Sequence, residues 1–171
     1  HNNPKFEKNK YTNGEYSSDF SSFELFGTRD DDNYEWIPCA SCMSDLFDKD
    51  YEVDNEFGVI MHYNSKFEMP EDFPLIYNDS SFEETIRFIG SKEYIITNSY
   101  HALYWSVLLK KKVIAIPNSS KMYGFKFPVP VCDISEYKQY IDKTVIYDEA
   151  LEICREQNRA FAEKAYEYLG V

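Results

Sequence analysis

The segment 93–117, EYIITNSYHALYWSVLLKKKVIAIP, places a histidine, His101, where a strand turns into a helix. Imidazole is the side chain best suited to moving protons near neutral pH. Residues 94–97 form a short apolar, β-branched run, and residues 113–116 form a second one ended by Pro117. The residues between them are too many for a hairpin loop, so the pattern predicts a βαβ crossover with a mostly apolar helix over 100–111. Asn98 and Ser99 are both residue types that cap helices. That arrangement leaves the backbone N–H groups of Tyr100, His101 and Ala102 ahead of the helix ladder, at the positive end of its dipole. The chemistry expected there is anion binding at the carboxyl edge of a parallel sheet. The plainer alternative makes His101 a helix-terminal histidine bonded to a neighbour and nothing more.

Charge narrows the partners. The 171 residues carry a formal net charge of −12, which argues against nucleic acid, because phosphate neutralisation needs a basic face. Residues 1–56 hold 14 acids and 5 bases, residues 57–131 hold 7 and 8, and residues 132–171 hold 9 and 5. An anionic small molecule is therefore repelled least by the middle of the chain, where the βαβ unit lies. Lys110, Lys111 and Lys112 end the predicted helix, a favoured place for cations, but at the wrong end for a ligand beside His101. Of the four cysteines, Cys39 and Cys42 share C-x-x-C spacing. A zinc site would have to recruit Cys132 and Cys154 from distant elements, so no metal site is assigned. A redox pair would need to open a helix after a strand, which Trp36-Ile37-Pro38 suggests only weakly. Reduced thiols in the cytoplasm are the expectation.

The elements that must hold the turn read as an α/β domain. Residues 1–22 form a polar lead-in containing Asn13-Gly14, and 23–171 form one domain. A short strand is expected within 23–28, followed by Arg29 and the acidic run Asp30-Asp31-Asp32. A clear strand follows over 57–63. Ser81 to Glu84 forms a capping box, with Phe82, Ile86 and Ile89 at helical spacing until Gly90. Asp133 with Glu136 starts a short helix. A long amphipathic helix begins at Asp148, with Leu151, Cys154, Asn158, Phe161, Ala165 and Leu169 on one face and Gly170 at its end. No transmembrane segment is expected.

Four segments carry a resemblance. The Arg29-Asp30 pair, Trp36-Ile37-Pro38-Cys39-Ala40-Ser41-Cys42-Met43, the turn from Ile95 to His101 and the loop Lys121-Met122-Tyr123-Gly124-Phe125 together resemble the polysaccharide pyruvyl transferase family, over roughly residues 23–171. The resemblance implies a Rossmann-like three-layer α/β/α domain with a mainly parallel sheet, similar to the C-terminal half of a GT-B fold. It also implies an N-terminal domain, carrying the acceptor site, that is missing from this sequence.

The implied activity is transfer of pyruvate from phosphoenolpyruvate to sugar hydroxyls as a ketal, in surface or exopolysaccharide biosynthesis. Phosphoenolpyruvate is then a donor substrate, the acceptor is a saccharide, and no cofactor is called for. The location implied is cytoplasmic, with a peripheral membrane association through a biosynthetic complex as a variant. Such chemistry needs a proton for the enol methylene, a base for the hydroxyl, and cations for phosphate and carboxylate. The family's turn typically reads Arg-Leu-His, whereas here Ser99, Tyr100 and His101 stand in those places. His101 carries over as acid or base, and the arginine does not. The lost cation is then supplied by Arg29, Lys121 or Lys126, or not at all, with Ser119, Ser120 and Lys121 as the loop that cradles a phosphate and Arg29 alternatively paired with its aspartates. Two other functions fit the same residues: a nucleotide-sugar glycosyltransferase, for which Tyr100 or Tyr123 would stack a base, and a non-catalytic carbohydrate-binding or assembly module.

Overall fold

The computed structural model describes residues 22–29, 34–64 and 66–171. The lead-in with Asn13-Gly14, and Asp30 to Asp32, lie outside the described residues, as does the Ser120 side chain. Two strands, β1 (Gly27–Thr28) and β2 (Glu35–Trp36), pair with each other in a small parallel sheet. The main sheet holds β3 (Asn55–Met61), β4 (Leu75–Tyr77), β5 (Lys92–Thr97) and β6 (Lys112–Ala115), all parallel, in the order β4-β3-β5-β6. Helices α1 (Phe82–Gly90) and α2 (Tyr100–Leu108) cross between strands, and α3 (Ala150–Leu169) ends the chain.

This is a Rossmann-like α/β domain, and the strand order locates its working edge. From β3 the chain steps outward to β4, then returns past β3 to lay down β5 and β6 on the other side. Right-handed crossovers in opposite directions put their connections on opposite faces. Accordingly, Ile60, Ile89, Ile95 and Ala102 join α1 and α2 to one face. On the other, Val59, Met61, Ile96 and Ile114 meet Phe67, Met69 and Phe73 of the β3–β4 connection. The strand order reverses between β3 and β5, and the crevice outside the carboxyl ends of such a pair is where open α/β sheets bind ligands. Val59, Ile60, Ile95, Ile96, Val113 and Ile114 are fully buried, as expected for parallel strands covered on both sides.

Several boundaries differ from the sequence pattern for local reasons. The strand expected over 57–63 runs instead from Asn55 to Met61, because the next N–H groups turn to side chains: His62 donates to Asn98 Oδ1 and Tyr63 to Asn78 Oδ1. The helix expected to reach 111 stops at Leu108. Lys110 takes a left-handed φ of 56°, and the amides of Lys110 and Lys111 donate to the Val107 and Ser106 carbonyls, a Schellman ending without glycine. Gly90 is the last residue of α1 rather than a left-handed stop. A side chain there would run into the Tyr51 ring. The short helix after Asp133 is a ten-residue 3-10 helix, Ile134–Lys143, which covers the second face through Tyr137. The buried stripe of α3 fades after Ala165, and Leu169 is 68% exposed, while Gly170 caps the helix with a left-handed φ of 71°.

The C-x-x-C segment is fastened by α3. Cys42 lies on the 3-10 turn Ala40–Met43, followed by Asp45–Asp48. Arg155 of α3 donates through Nε to the Cys42 carbonyl at 2.9 Å, and through Nη2 to the Ser44 carbonyl at 3.1 Å. It also pairs bidentately with Asp48 at 2.7 and 2.8 Å. Only a planar fork satisfies all four acceptors. Arg155→Ala is expected to destabilise the fold by about 2 kcal/mol in urea unfolding, mostly from the orphaned carbonyls, and Arg155→Lys will not restore it. Arg155 also holds the Asp48 carboxyl below the usual range. The resulting stability is full above the ordinary carboxylate pKa and is lost as pH falls through the lower folded value, and this acid-side loss should vanish in Arg155→Ala.

Candidate functional site

The carboxyl ends of β3 and β5 are tied together by buried polar groups. Thr97, the last residue of β5, is fully buried. Its hydroxyl donates to the Ile60 carbonyl of β3 at 2.7 Å and accepts from the Ser99 N–H at 3.0 Å. Asn98 Oδ1 accepts from the His62 N–H at 2.6 Å. Ser99 occupies the N-cap position of α2, but its side chain makes no capping bond. The expected capping by Asn98 and Ser99 is thus corrected: Asn98 spends its carbonyl on the neighbouring strand instead. The first intrahelical bond runs from Leu103 N–H to the Ser99 carbonyl, so the N–H groups of the preceding turn lie outside the ladder.

Around this stitch opens a cleft of about 600 Å3. Each strand of the sheet sends one asparagine to it: Asn64 after β3, Asn78 after β4, Asn98 after β5 and Asn118 after β6. Ser99, Tyr100 and His101 line it from α2, and Ser119, Lys121 and Met122 from the turn after β6. His62 joins them, its Nδ1 accepting from the Asn64 N–H at 3.2 Å. Arg29 reaches the same cleft from the end of β1. The structure therefore brings together Arg29, Asn98, Ser99, Tyr100, His101, Ser119 and Lys121. Lys126 stands apart, 5.5 Å over the Trp36 ring.

Arg29 is held from three directions. Its carbonyl accepts from Trp36 Nε1 at 3.2 Å, its guanidinium sits 5.5 Å over the Tyr100 ring, and Nη1 lies 3.3 Å from His101 Nε2. Tyr100 packs edge-on against Phe125, and the His101 ring lies tilted on Trp105, centroids 5.4 Å apart. The sequence leaves the role of Arg29 open between a ligand cation and a partner of neighbouring aspartates. The described contacts direct it towards His101 and the cleft.

The cysteines divide by environment. Cys132 sits in the core on the face opposite α2, away from the other three, so the four cannot gather around one ion. Among the described residues no three His, Cys, Asp or Glu side chains converge as a metal site. Burial pushes the Cys132 thiol up to about 11 and the Cys154 thiol to about 12, and it raises Cys42 as well. Cys39 moves the other way, to about 6, chiefly through the nearby His101, with the Ser41 hydroxyl assisting. The sequence separates Cys39 from His101 by more than sixty positions, and nothing in either local pattern signals the approach. His62, Asn64, Asn78 and Asn118 were not singled out from the sequence either, although each follows an apolar strand within three residues.

Residues 5–120 match the family model described as polysaccharide pyruvyl transferase, about two thirds of the chain. The match includes Arg29, Cys39 and the turn through His101, and it ends just before Lys121. No curated protein and no solved structure matches the chain. No helix among the described residues is long and apolar enough to cross a membrane.

The stitch generates a direct test. Thr97→Val keeps the shape of the side chain but deprives the Ser99 N–H of its acceptor and the Ile60 carbonyl of a donor. The expected cost is about 1–3 kcal/mol, or a fall in Tm of roughly 2–4 °C per kcal/mol for a domain of this size. Unchanged thermal and urea unfolding in Thr97→Val would mean that the turn is held by packing alone.

Proposed function

The chain belongs to the polysaccharide pyruvyl transferase family, and on that premise we propose that it transfers pyruvate from phosphoenolpyruvate to two hydroxyls of a sugar as a ketal. The observation that carries this reading is the convergence of His101, Arg29 and Lys121 in one cleft at the switch point of the sheet. Phosphoenolpyruvate presents a phosphate and a carboxylate on a three-carbon enol. Two cations from separate elements suit two anionic groups, and imidazole suits the proton transfers.

The reaction balances with these parts. One sugar hydroxyl adds to C2 while a proton reaches the enol methylene, which becomes the methyl group. The second hydroxyl then displaces phosphate from C2, and its proton leaves with the phosphate. Arg29 and Lys121 hold phosphate and carboxylate, His101 handles the proton, and the asparagines and Ser119 supply neutral hydrogen bonds. Ser99 stands where the family's arginine is usual. Arg29, arriving over Tyr100 beside His101, provides a guanidinium in the same neighbourhood. The acceptor sugar enters from the open side, where a preceding domain completes the cleft.

Thermal shift of the full-length protein separates the donors. Phosphoenolpyruvate at 100 times its Kd should stabilise the protein by about 2.7 kcal/mol, less at high salt, and less in Lys121→Ala or Arg29→Ala. Stabilisation by nucleotide sugars alone would assign the cleft to glycosyl transfer, with Tyr100 as the stacking aromatic, and stabilisation by saccharides alone to a binding module. His101→Ala should lower kcat by about 10²–10⁴-fold, and wild-type turnover in that variant would remove His101 from the chemistry.

A further inference from the structure

Beyond Met61, the three successive backbone N–H groups that follow β3 are each taken by a side-chain acceptor. His62 N–H donates to Asn98 Oδ1 at 2.6 Å, Tyr63 N–H to Asn78 Oδ1 at 2.9 Å, and Asn64 N–H to His62 Nδ1 at 3.2 Å. A backbone N–H can only donate, so each contact settles which edge of the side chain faces it. Asn78 spends its carbonyl oxygen there and keeps the two Nδ2 hydrogens on its other edge. His62 spends the Nδ1 lone pair, which places the proton of the neutral ring on Nε2. Both residues line the cleft. Met61 and Tyr77 are partners across β3 and β4, so His62 and Asn78 are the next residues on two adjacent strands and leave the sheet side by side. The Tyr63 ring stacks on the His62 ring, centroids 5.2 Å apart, and the buried Asn98 anchors the turn from below.

His101 has the opposite polarity. Arginine can only donate hydrogen bonds, so the Arg29 Nη1 contact at 3.3 Å makes His101 Nε2 an acceptor and puts the proton of the neutral ring on Nδ1. We propose that the two histidines of the cleft are held in opposite tautomers, His101 as the proton acceptor and His62, paired with Asn78, as a fixed donor that binds an anionic oxygen of the substrate. This inference rests on the transfer reaction above. Ionised phosphate and carboxylate oxygens accept hydrogen bonds and donate none, so an edge built of donors suits them. A sugar hydroxyl about to attack must lose a proton, and it finds its acceptor at His101.

The division leaves the proton balance of the reaction unchanged. His101 Nε2 takes the proton of the attacking hydroxyl as oxygen bonds to C2, and delivers it to the enol methylene. His62 gives up no proton and only lends a hydrogen bond. Exchanging its tautomer would set Nδ1–H against the Asn64 N–H, two donors facing each other, so the turn selects the form that donates through Nε2. Cations and neutral donors thus reach the substrate from opposite sides of the strand reversal. Lys121 arrives after β6 and Arg29 over α2, while His62 follows β3 and Asn78 follows β4.

Nitrogen–proton correlation NMR of the full-length protein with isotope-labelled histidine, at about pH 8, reads the tautomers without any substrate. The ring whose signals vanish in His62→Phe should carry its proton on Nε2, and the ring lost in His101→Gln should carry it on Nδ1. The same tautomer at both, or a mixture at His62, overturns the proposal. Calorimetric titration with phosphoenolpyruvate tests the binding role. His62→Phe keeps a ring against Tyr63 and removes the donor. Asn78→Asp keeps Oδ1 for the Tyr63 N–H, replaces Nδ2 by a carboxylate oxygen and should melt like wild type. Each should raise Kd about 10–100-fold, and wild-type affinity in either folded variant overturns the paired site. Inorganic phosphate is titrated in parallel. A wild-type protein that binds phosphate but not phosphoenolpyruvate, with the phosphate lost in Asn78→Asp, upholds the donor pair and removes the pyruvyl transfer instead. Binding of neither anion overturns both.

Discussion

The hydroxyl of Thr97 holds the two halves of the sheet in the register that makes a site. It bridges the Ile60 carbonyl of β3 and the Ser99 N–H that opens α2, while Asn98 takes the His62 N–H beside it. These groups are buried, where leaving a backbone donor unmatched is costly. The chain is obliged to leave β3 and β5 in fixed directions, and the crevice between them cannot close. His101 is placed by that constraint, one helical residue beyond the stitch.

The parts of this arrangement that depend on nearest neighbours were legible in the sequence. The βαβ unit, the capping of α1 by Ser81, whose hydroxyl accepts from the Glu84 N–H, and the glycine ending of α3 all come from patterns a few residues long. The parts that depend on meeting across the fold were not. No periodicity reveals that β4 lies outside β3, and hence that the order reverses beside β5. The end of α2 was hidden because a lysine, Lys110, adopts the conformation usually left to glycine. For the candidate site, Asn98 to His101 and the Ser119 to Lys121 turn followed from strand ends. The approach of Arg29 and Cys39 to His101 required a segment outside the main sheet to fold back on α2.

Electrostatics in the cleft run against the rest of the molecule. A chain of net charge −12 gathers Arg29, Lys121 and two histidines around neutral asparagines. No carboxylate lines that cleft among the described residues, so an anion there would meet amides, hydroxyls and cations. The acidic remainder does not reach far into the site, since exposed charges are screened within about 10 Å at ordinary ionic strength.

Arg29 and Cys39 lie on a strap that belongs to neither the sheet nor its crossover helices. It runs through β1, β2 and the C-x-x-C turn, held to α3 by Arg155 and to α2 by Tyr104. Occupation of the cleft by an anion and docking of this strap would therefore be linked equilibria. A ligand that engages Arg29 and the sheet edge together must tighten the strap, and by thermodynamic reciprocity anything that seats the strap more firmly raises affinity for that ligand. A substitution in α3, outside the cleft, can in this way change how strongly the cleft holds such a ligand.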